Sequence, residues 1–266
     1  MKSREIMSDW RSQGDVMRRE AKNLISFLTT IPVGMDENCL IDAANHMHLF
    51  PLIGAFIGLL TGIFAWLLLN FLDALIVGIL SLGFILLVTG IHHADGLLDF
   101  GDGLVYQGTS EEKIKIMHDQ QTGAGGFALG LVTFLTTALC IAKFNQNFVI
   151  QSLIVSEASA KLAMVFMAWL GKSAHKGMNT YFIHAMHGKH RNIRLIAAFS
   201  IVFGIALPLL GIACFIAIIA CLATALIVTG ISNRHFGGVT GDVFGAGNEL
   251  SRLSSLLTIL VASGWM

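Results

Sequence analysis

The sequence predicts an all-α polytopic integral membrane protein, with about seven transmembrane helices joined on one side by motif-bearing polar loops. Three observations predict it. Of 266 residues, 55% are hydrophobic and only 13% are charged, about half the roughly 25% of an ordinary soluble domain. Mean hydropathy is +0.72. Uncharged runs of about 20 residues recur, the length that crosses a ~30 Å hydrocarbon core. So few charges cannot coat a globule of this size in water. A soluble enzyme, a disordered chain and a disulfide scaffold are all excluded. The 17 basic and 17 acidic residues cancel, so net charge indicates no nucleic-acid partner; the partner it indicates is the lipid bilayer.

Residues 1–266 read as a single membrane-embedded domain, with an N-terminal arm and interfacial segment over 1–48 and transmembrane helices and loops over 49–266. The arm is charged through residue 23 and lacks a cleavable leader pattern. The apolar stretch Leu24 to Gly34 is expected in the membrane interface. Spans follow at 49–72 and 74–91, with Asp73 at the turn, then at 123–142 and 148–171. From Leu195 to Ile231 no residue is charged. That is about 55 Å of helix, too long for one span. Pro208 and Gly211 near its middle predict a hairpin between two spans. A short last run, 253–266, reaches the C-terminus.

The positive-inside rule supports this count. With the arm in the cytoplasm, it contributes six Lys/Arg, loop 92–122 two, loop 172–194 five and loop 232–252 two, which leaves only Lys143 and Lys161 elsewhere. The expected location is the cell membrane, multi-pass, with the N-terminus and polar loops cytoplasmic. Cys39, Cys140, Cys214 and Cys221 are scattered without CxxC spacing and read as packing residues. The 28 glycines suit close helix packing in a bilayer. No oligomeric state follows from the sequence, and a homo-oligomer is compatible with it.

The polar loops carry the chemistry. His93 to Gly103 places Asp95, Asp99 and Asp102 within about 60° of one another on a helix. Three carboxylates so close repel unless a cation sits among them, and their hard oxygens suit Mg²⁺ or Mn²⁺ bridging to phosphates. Gly96, Gly101 and Gly103 permit close approach of a large ligand. Thr109 with Glu112 predicts a capping box opening a short amphipathic helix that ends at His118-Asp119. Asp119 is a further candidate ligand, and Gly123 to Gly126 at a helix start a candidate phosphate site. Loop 172–194 combines Lys172, Lys176, Lys189, Arg191 and Arg194 with four histidines. It reads either as ordinary positive-inside charge or as a collar for an anionic substrate. Residues 234–249 form a glycine-rich loop in which Arg234, Gly238, Thr240, Gly241 and Asp242 are candidates for phosphate and metal contacts. Glu157 and Lys161, one turn apart inside a span, are expected to pair with each other.

Together these segments resemble the adenosylcobinamide-GDP ribazoletransferase (cobalamin-5′-phosphate synthase) family. Its pattern His-x-Asp-Gly-Leu-x-Asp-x-x-Asp-Gly is matched at every fixed position by His93 to Gly103. Ile116-Met117-His118-Asp119 with Gly123 and Gly126 is similar to the next segment. Gly237 to Ala246 matches Gly-Gly-x-Thr-Gly-Asp-x-x-Gly-Ala, and Phe27 to Val33 looks like the opening Phe-Leu-Thr-Arg-Ile-Pro-Val. Thr30 departs from a basic residue, Ile91 from a glycine and Asn179 from a glycine, and His92 is an additional histidine. The resemblance implies attack by α-ribazole, or its 5′-phosphate, on the phosphorus joined to the cobinamide arm of adenosylcobinamide-GDP. GMP leaves and adenosylcobalamin or its 5′-phosphate forms. It implies Mg²⁺ (or Mn²⁺) held by Asp95, Asp99 and Asp102, with Asp119 or Asp242 completing the shell. His93 or one of the carboxylates would accept the hydroxyl proton. Two other classes share the polytopic build. A CDP-alcohol phosphotransferase requires Asp-Gly-x-x-Ala-Arg, where this chain has Asp99-Phe100. An ion-coupled transporter would use Glu157 and Lys161 at the midplane, away from the dense polar motifs.

Overall fold

A computed structural model describes residues 16–264. Lys2, Arg4 and Arg11 of the arm lie outside the described residues, as do 265–266. Helix α1 covers 16–28, followed by α2 (Cys39–Asn45), a 3-10 turn (Met47–Leu49) and α3 (Phe50–Leu68). Then come α4 (Ala74–Val88), α5 (His92–Val105), α6 (Ser110–Met117), α7 (Ala124–Lys143) and α8 (Val149–Leu170). The chain closes with α9 (Met178–Met186), α10 (Arg191–Leu210), α11 (Ala213–His235) and α12 (Gly241–Ser263).

Among the described residues five helices are long and apolar enough to cross a membrane: α3 (with the turn before it), α7, α8, α10 and α11. The pair α4 and α5, bent by 97° at residues 89–91, makes six if it counts as one span. The difference from seven has physical causes. Helix α4 is only 15 residues long, and the expected last span is the second half of α12, whose first half carries Asp242, Glu249 and Arg252. The run 195–231 does divide into two helices. Pro208 lies in the last turn of α10, and Gly211 takes a φ of +55° at the turn, a conformation that costs glycine little.

Helix α8 is the axis of the bundle and packs against α3, α10, α11 and α12. Against it α3 presents Gly54, Gly58 and Gly62 at four-residue spacing. A Cβ on Gly54 or Gly62 would come within 2.4–2.8 Å of α8 backbone atoms. Only glycine permits that approach, the packing mode of helices in lipid. All four cysteines are buried and free.

Inside this bundle lies an ionic network. Arg252 of α12 donates to Glu157 of α8 and to Glu249 one turn earlier. Lys161 donates to the Asn248 side-chain oxygen at 2.6 Å, and Asn248 donates to Glu249 at 3.1 Å. The expected Glu157–Lys161 pair is therefore replaced: the partner of Glu157 is Arg252. All five side chains are buried, and two carboxylates balance two cations, so α12 is tied to α8 without net buried charge. Arg252 belongs to this interior rather than to a basic surface loop.

Alternation of the helices brings α5, α6, the segment 172–190 and the start of α12 to one end of the bundle. At the opposite end Gln146 donates to Asn70. The stretch expected in the interface folds over the site end. Leu24 and Leu28 are buried, Phe27 packs on Phe50 and Phe182, and Thr30 donates to the Leu87 and Val88 carbonyls at the end of α4.

Candidate active site

The acidic motif is helical throughout: α5 begins at His92, directly after Gly90 and Ile91, both left-handed with φ of +67° and +65°. This turn swings α5 off the axis of α4. The three aspartates then divide. Asp102 is buried and accepts the Gly123 N–H at 2.6 Å and the Gly126 N–H at 2.8 Å. It caps α7 and fills the helix start where a phosphate was expected. Asp95 is exposed and Asp99 half-buried, both turned toward the start of α12.

Contact between α5 and α12 depends on two glycines. A Cβ on Gly96 would lie 2.8 Å from the Asp242 carbonyl oxygen, and one on Gly245 would lie 2.9 Å from that of His93. Through this crossing Asp242 reaches the same mouth as Asp95 and Asp99. The residues expected as a glycine-rich loop are a tight turn at 236–240 followed by helix. Thr240 caps α12 by accepting from the Val243 N–H at 3.2 Å, and its hydroxyl donates to Asp242 at 3.3 Å.

Electrostatics follow from this geometry. Burial, then repulsion from Asp95, Asp242 and Asp102, pushes the Asp99 carboxyl up to about 7. Burial also raises Asp242, opposed by His118, whose Nε2 lies 3.9 Å away. His93 is buried, its Nδ1 has no hydrogen-bond partner among the described residues, and burial holds its imidazole well below the usual histidine range. It is neutral. His118 also meets His175 edge-on at 5.4 Å, which joins segment 172–180 to the mouth.

That segment is stitched to the turn before α12. The Val239 N–H donates to the Lys172 carbonyl at 2.7 Å and the Ala174 N–H to the Val239 carbonyl at 3.1 Å. Asn179, buried, donates to both Ser173 Oγ and the Val239 carbonyl at 2.7 Å. The departure from glycine at 179 thus supplies two bonds that glycine could not. A Cβ on Gly238 would strike Lys172 and Ala174 backbone, and one on Gly103 would strike Met117. Gly241 opens α12 in free space. Lys172 and Lys176 are exposed on the segment that His175 joins to the mouth, and Arg234 is exposed in the last turn of α11. Asp119, exposed beyond α6, is not among the carboxylates acting on Asp99.

Sequence reasoning missed three features. The sequence marks His118 only as a helix end, although its position beside Asp119 in a motif is a signal. The positive-inside count places Arg252 in a surface loop, although its spacing of three from Glu249 fits one helix face. The third is a cavity of about 630 Å³ running from Asp95, Asp242 and His93 inward under α1, α2 and α9, with Phe27, Phe50, Phe182 and Phe244 on its walls. No local pattern announces it.

Long apolar helices closed at one end by converging carboxylates define a polytopic membrane protein with its reactive groups at one mouth of the bundle. A family profile described as Cobalamin-5-phosphate synthase matches residues 20–260. The chain belongs to that family, and it is an enzyme, a transferase of cobalamin synthesis. It is 38% identical to a protein of Methanocella arvoryzae named adenosylcobinamide-GDP ribazoletransferase, over 91% of this chain and 95% of that protein. Proteins of the same name from Methanococcoides burtonii and Geotalea daltonii are 32% and 30% identical, over 91% and 90% of this chain and 91% and 96% of theirs. No solved structure matches the chain.

Proposed function

We propose that the protein is an adenosylcobinamide-GDP ribazoletransferase, working at the cytoplasmic face of the cell membrane with Mg²⁺, or Mn²⁺ on the same oxygen ligands. The observation that carries this reading is the convergence of Asp95, Asp99 and Asp242 from two helices. Among the described residues no Lys or Arg pairs with them, and His118 stands 3.9 Å from Asp242. Uncompensated carboxylates in a partly dry mouth favour a bound cation. Among the described residues no three His, Cys, Asp or Glu side chains come close enough to enclose an ion. Mg²⁺ held by one or two carboxylates, with waters and substrate phosphates completing its shell, requires no such cage.

A bound divalent cation would supply charge neutralisation at the pyrophosphate of adenosylcobinamide-GDP. Asp95, Asp99 and Asp242 would hold it, and Lys172, Lys176 and Arg234 draw the anionic donor to the mouth. The α-ribazole hydroxyl attacks the phosphorus joined to the cobinamide arm. A new P–O bond forms, the bridging P–O bond breaks, and GMP leaves with the electron pair. His93, neutral and with an unpartnered nitrogen, is in the state that accepts the hydroxyl proton. Basic residues around this mouth support the cytoplasmic orientation.

The test is release of GMP by purified protein given both substrates. Asp99→Asn is expected to lower kcat by about 10²-fold or more with the fold retained, and a chelator to stop turnover. No GMP from the wild-type protein, or full Mg²⁺-dependent turnover by Asp99→Asn, overturns the reading.

A further inference from the structure

The 630 Å³ cavity is of the size that encloses a drug-sized ligand. A corrinoid macrocycle with its amide arms does not fit inside it. Its inner wall is aromatic. Phe182 stands 5.2 Å from Phe27, 5.9 Å from Phe50 and 6.4 Å from Phe244, centroid to centroid. Methionines 35, 47, 164 and 178 supply adaptable apolar contacts around these rings. No Lys or Arg is among the described residues that line it, whereas four carboxylates are: Asp95 and Asp242 at its mouth, and Asp36 and Glu37 before α2. A phosphate chain finds no counter-charge inside. His93 lines the cavity, nine-tenths buried, with Nδ1 unpartnered among the described residues.

We infer that this cavity is the acceptor site: it takes the planar bicyclic base of the nucleoside against its wall of phenylalanines, with the ribose toward His93 and the acidic mouth. The donor's nucleotide and corrinoid remain outside it. The inference rests on the α-ribazole acceptor proposed above. Aromatic walls suit a flat base, which offers a π-face for stacking whatever its ring substituents. A bicyclic base on a ribose matches the cavity in size and planarity, and it carries no anionic chain for the carboxylates of the lining to repel. A hydroxyl on that ribose then lies between the unpartnered imidazole and the carboxylates.

Steady-state kinetics with the two substrates varied independently test this. Phe182→Ala is expected to raise KM for α-ribazole about tenfold and to leave KM for adenosylcobinamide-GDP unmoved. Met178→Trp, at an exposed position on the cavity wall, keeps the test open if Phe182→Ala fails to fold, and is expected to have the same selective effect. Benzimidazole alone should compete with α-ribazole and not with the donor. Competition with the donor, or variants that raise only the donor's KM, overturns the inference while the proposed activity stands. A wild-type protein that releases no GMP defeats the activity instead. Calorimetric titration of benzimidazole into wild type and Met178→Trp then still reads the cavity: binding lost in the variant supports it, and equal binding or none overturns it.

Discussion

The contact between α5 and α12 gives a direct test of how the site is assembled. In Gly96→Ala the added Cβ would lie 2.8 Å from the Asp242 carbonyl oxygen and 2.9 Å from its Cα, against an ordinary contact of 3.4 Å or more. Both atoms are backbone, so no rotamer change relieves the overlap. The helices must part by about 0.6 Å, and that movement carries Asp242 away from Asp95 and Asp99. Overpacking of this kind costs about 1–3 kcal/mol. A 1 Å misplacement of reacting groups costs about 10²-fold in rate, so kcat for GMP release should fall at least about tenfold. Gly204→Ala and Gly230→Ala, where nothing lies within 4 Å of the new Cβ, are the controls. Neither should lower stability or rate. Thermal unfolding in detergent separates lost fold from lost alignment. Wild-type kcat in a folded Gly96→Ala protein would refute the claim that this crossing aligns the carboxylates.

Asp102→Asn removes a charged cap that receives two N–H groups of α7; it should lower unfolding free energy by about 1–2 kcal/mol, measured by thermal or denaturant unfolding. The Asp99 carboxyl, at about 7, must lose its proton to bind a cation. Apparent Mg²⁺ affinity, followed by titration against turnover, should therefore fall about tenfold between pH 8 and pH 6. Without metal the sign reverses: the folded state holds more protons than the unfolded one from pH 3.8 to about 7. This group's contribution then makes the metal-free protein less stable as pH rises through that window. Glu157→Gln leaves Arg252 with Glu249 as its one charged partner among the described residues and should destabilise by about 3–5 kcal/mol, while folded protein keeps near wild-type turnover. Ile91→Gly relieves a β-branched residue at φ +65° that is 52% exposed. It should stabilise by about 1 kcal/mol, with a raised Tm as the readout.

Much of the architecture was legible because the bilayer imposes it. A long run without charges in a bilayer is helical, so the length of 195–231 required a division, and Pro208 and Gly211 placed it. The capping box of Thr109 and Glu112 was equally local, and both of its hydrogen bonds form. Legibility failed where a polar residue's partner lies far along the chain. Spacing put Asp95, Asp99 and Asp102 on one face, yet Asp102 faces α7 and the acidic group is completed by Asp242, 143 residues after Asp99. Spacing likewise paired Glu157 with Lys161, but a side chain inside a bundle takes the neighbour with the better geometry. Arg252 offers a guanidinium fork to two carboxylates at once.

Departures from the family pattern were the more informative sequence signals, each for a backbone reason. Position 91 is left-handed, where glycine is free and isoleucine strained, so the turn that swings α5 across the mouth holds despite its residue. Its surroundings must impose it, and Thr30 supplies one restraint by bonding the Leu87 and Val88 carbonyls just before the turn. At 179 the effect is opposite: asparagine adds two bonds across the seam that sets Val239 and Thr240 before α12. One departure loosens the start of α5 and the other tightens the approach to α12. The two helices meet where Gly96 touches Asp242, so strain at 91 and stitching at 179 act on the same crossing. Ile91→Gly combined with Asn179→Gly should therefore depart from additivity in kcat, which a double-mutant cycle reads directly. Strict additivity would mean that the two turns position their helices independently.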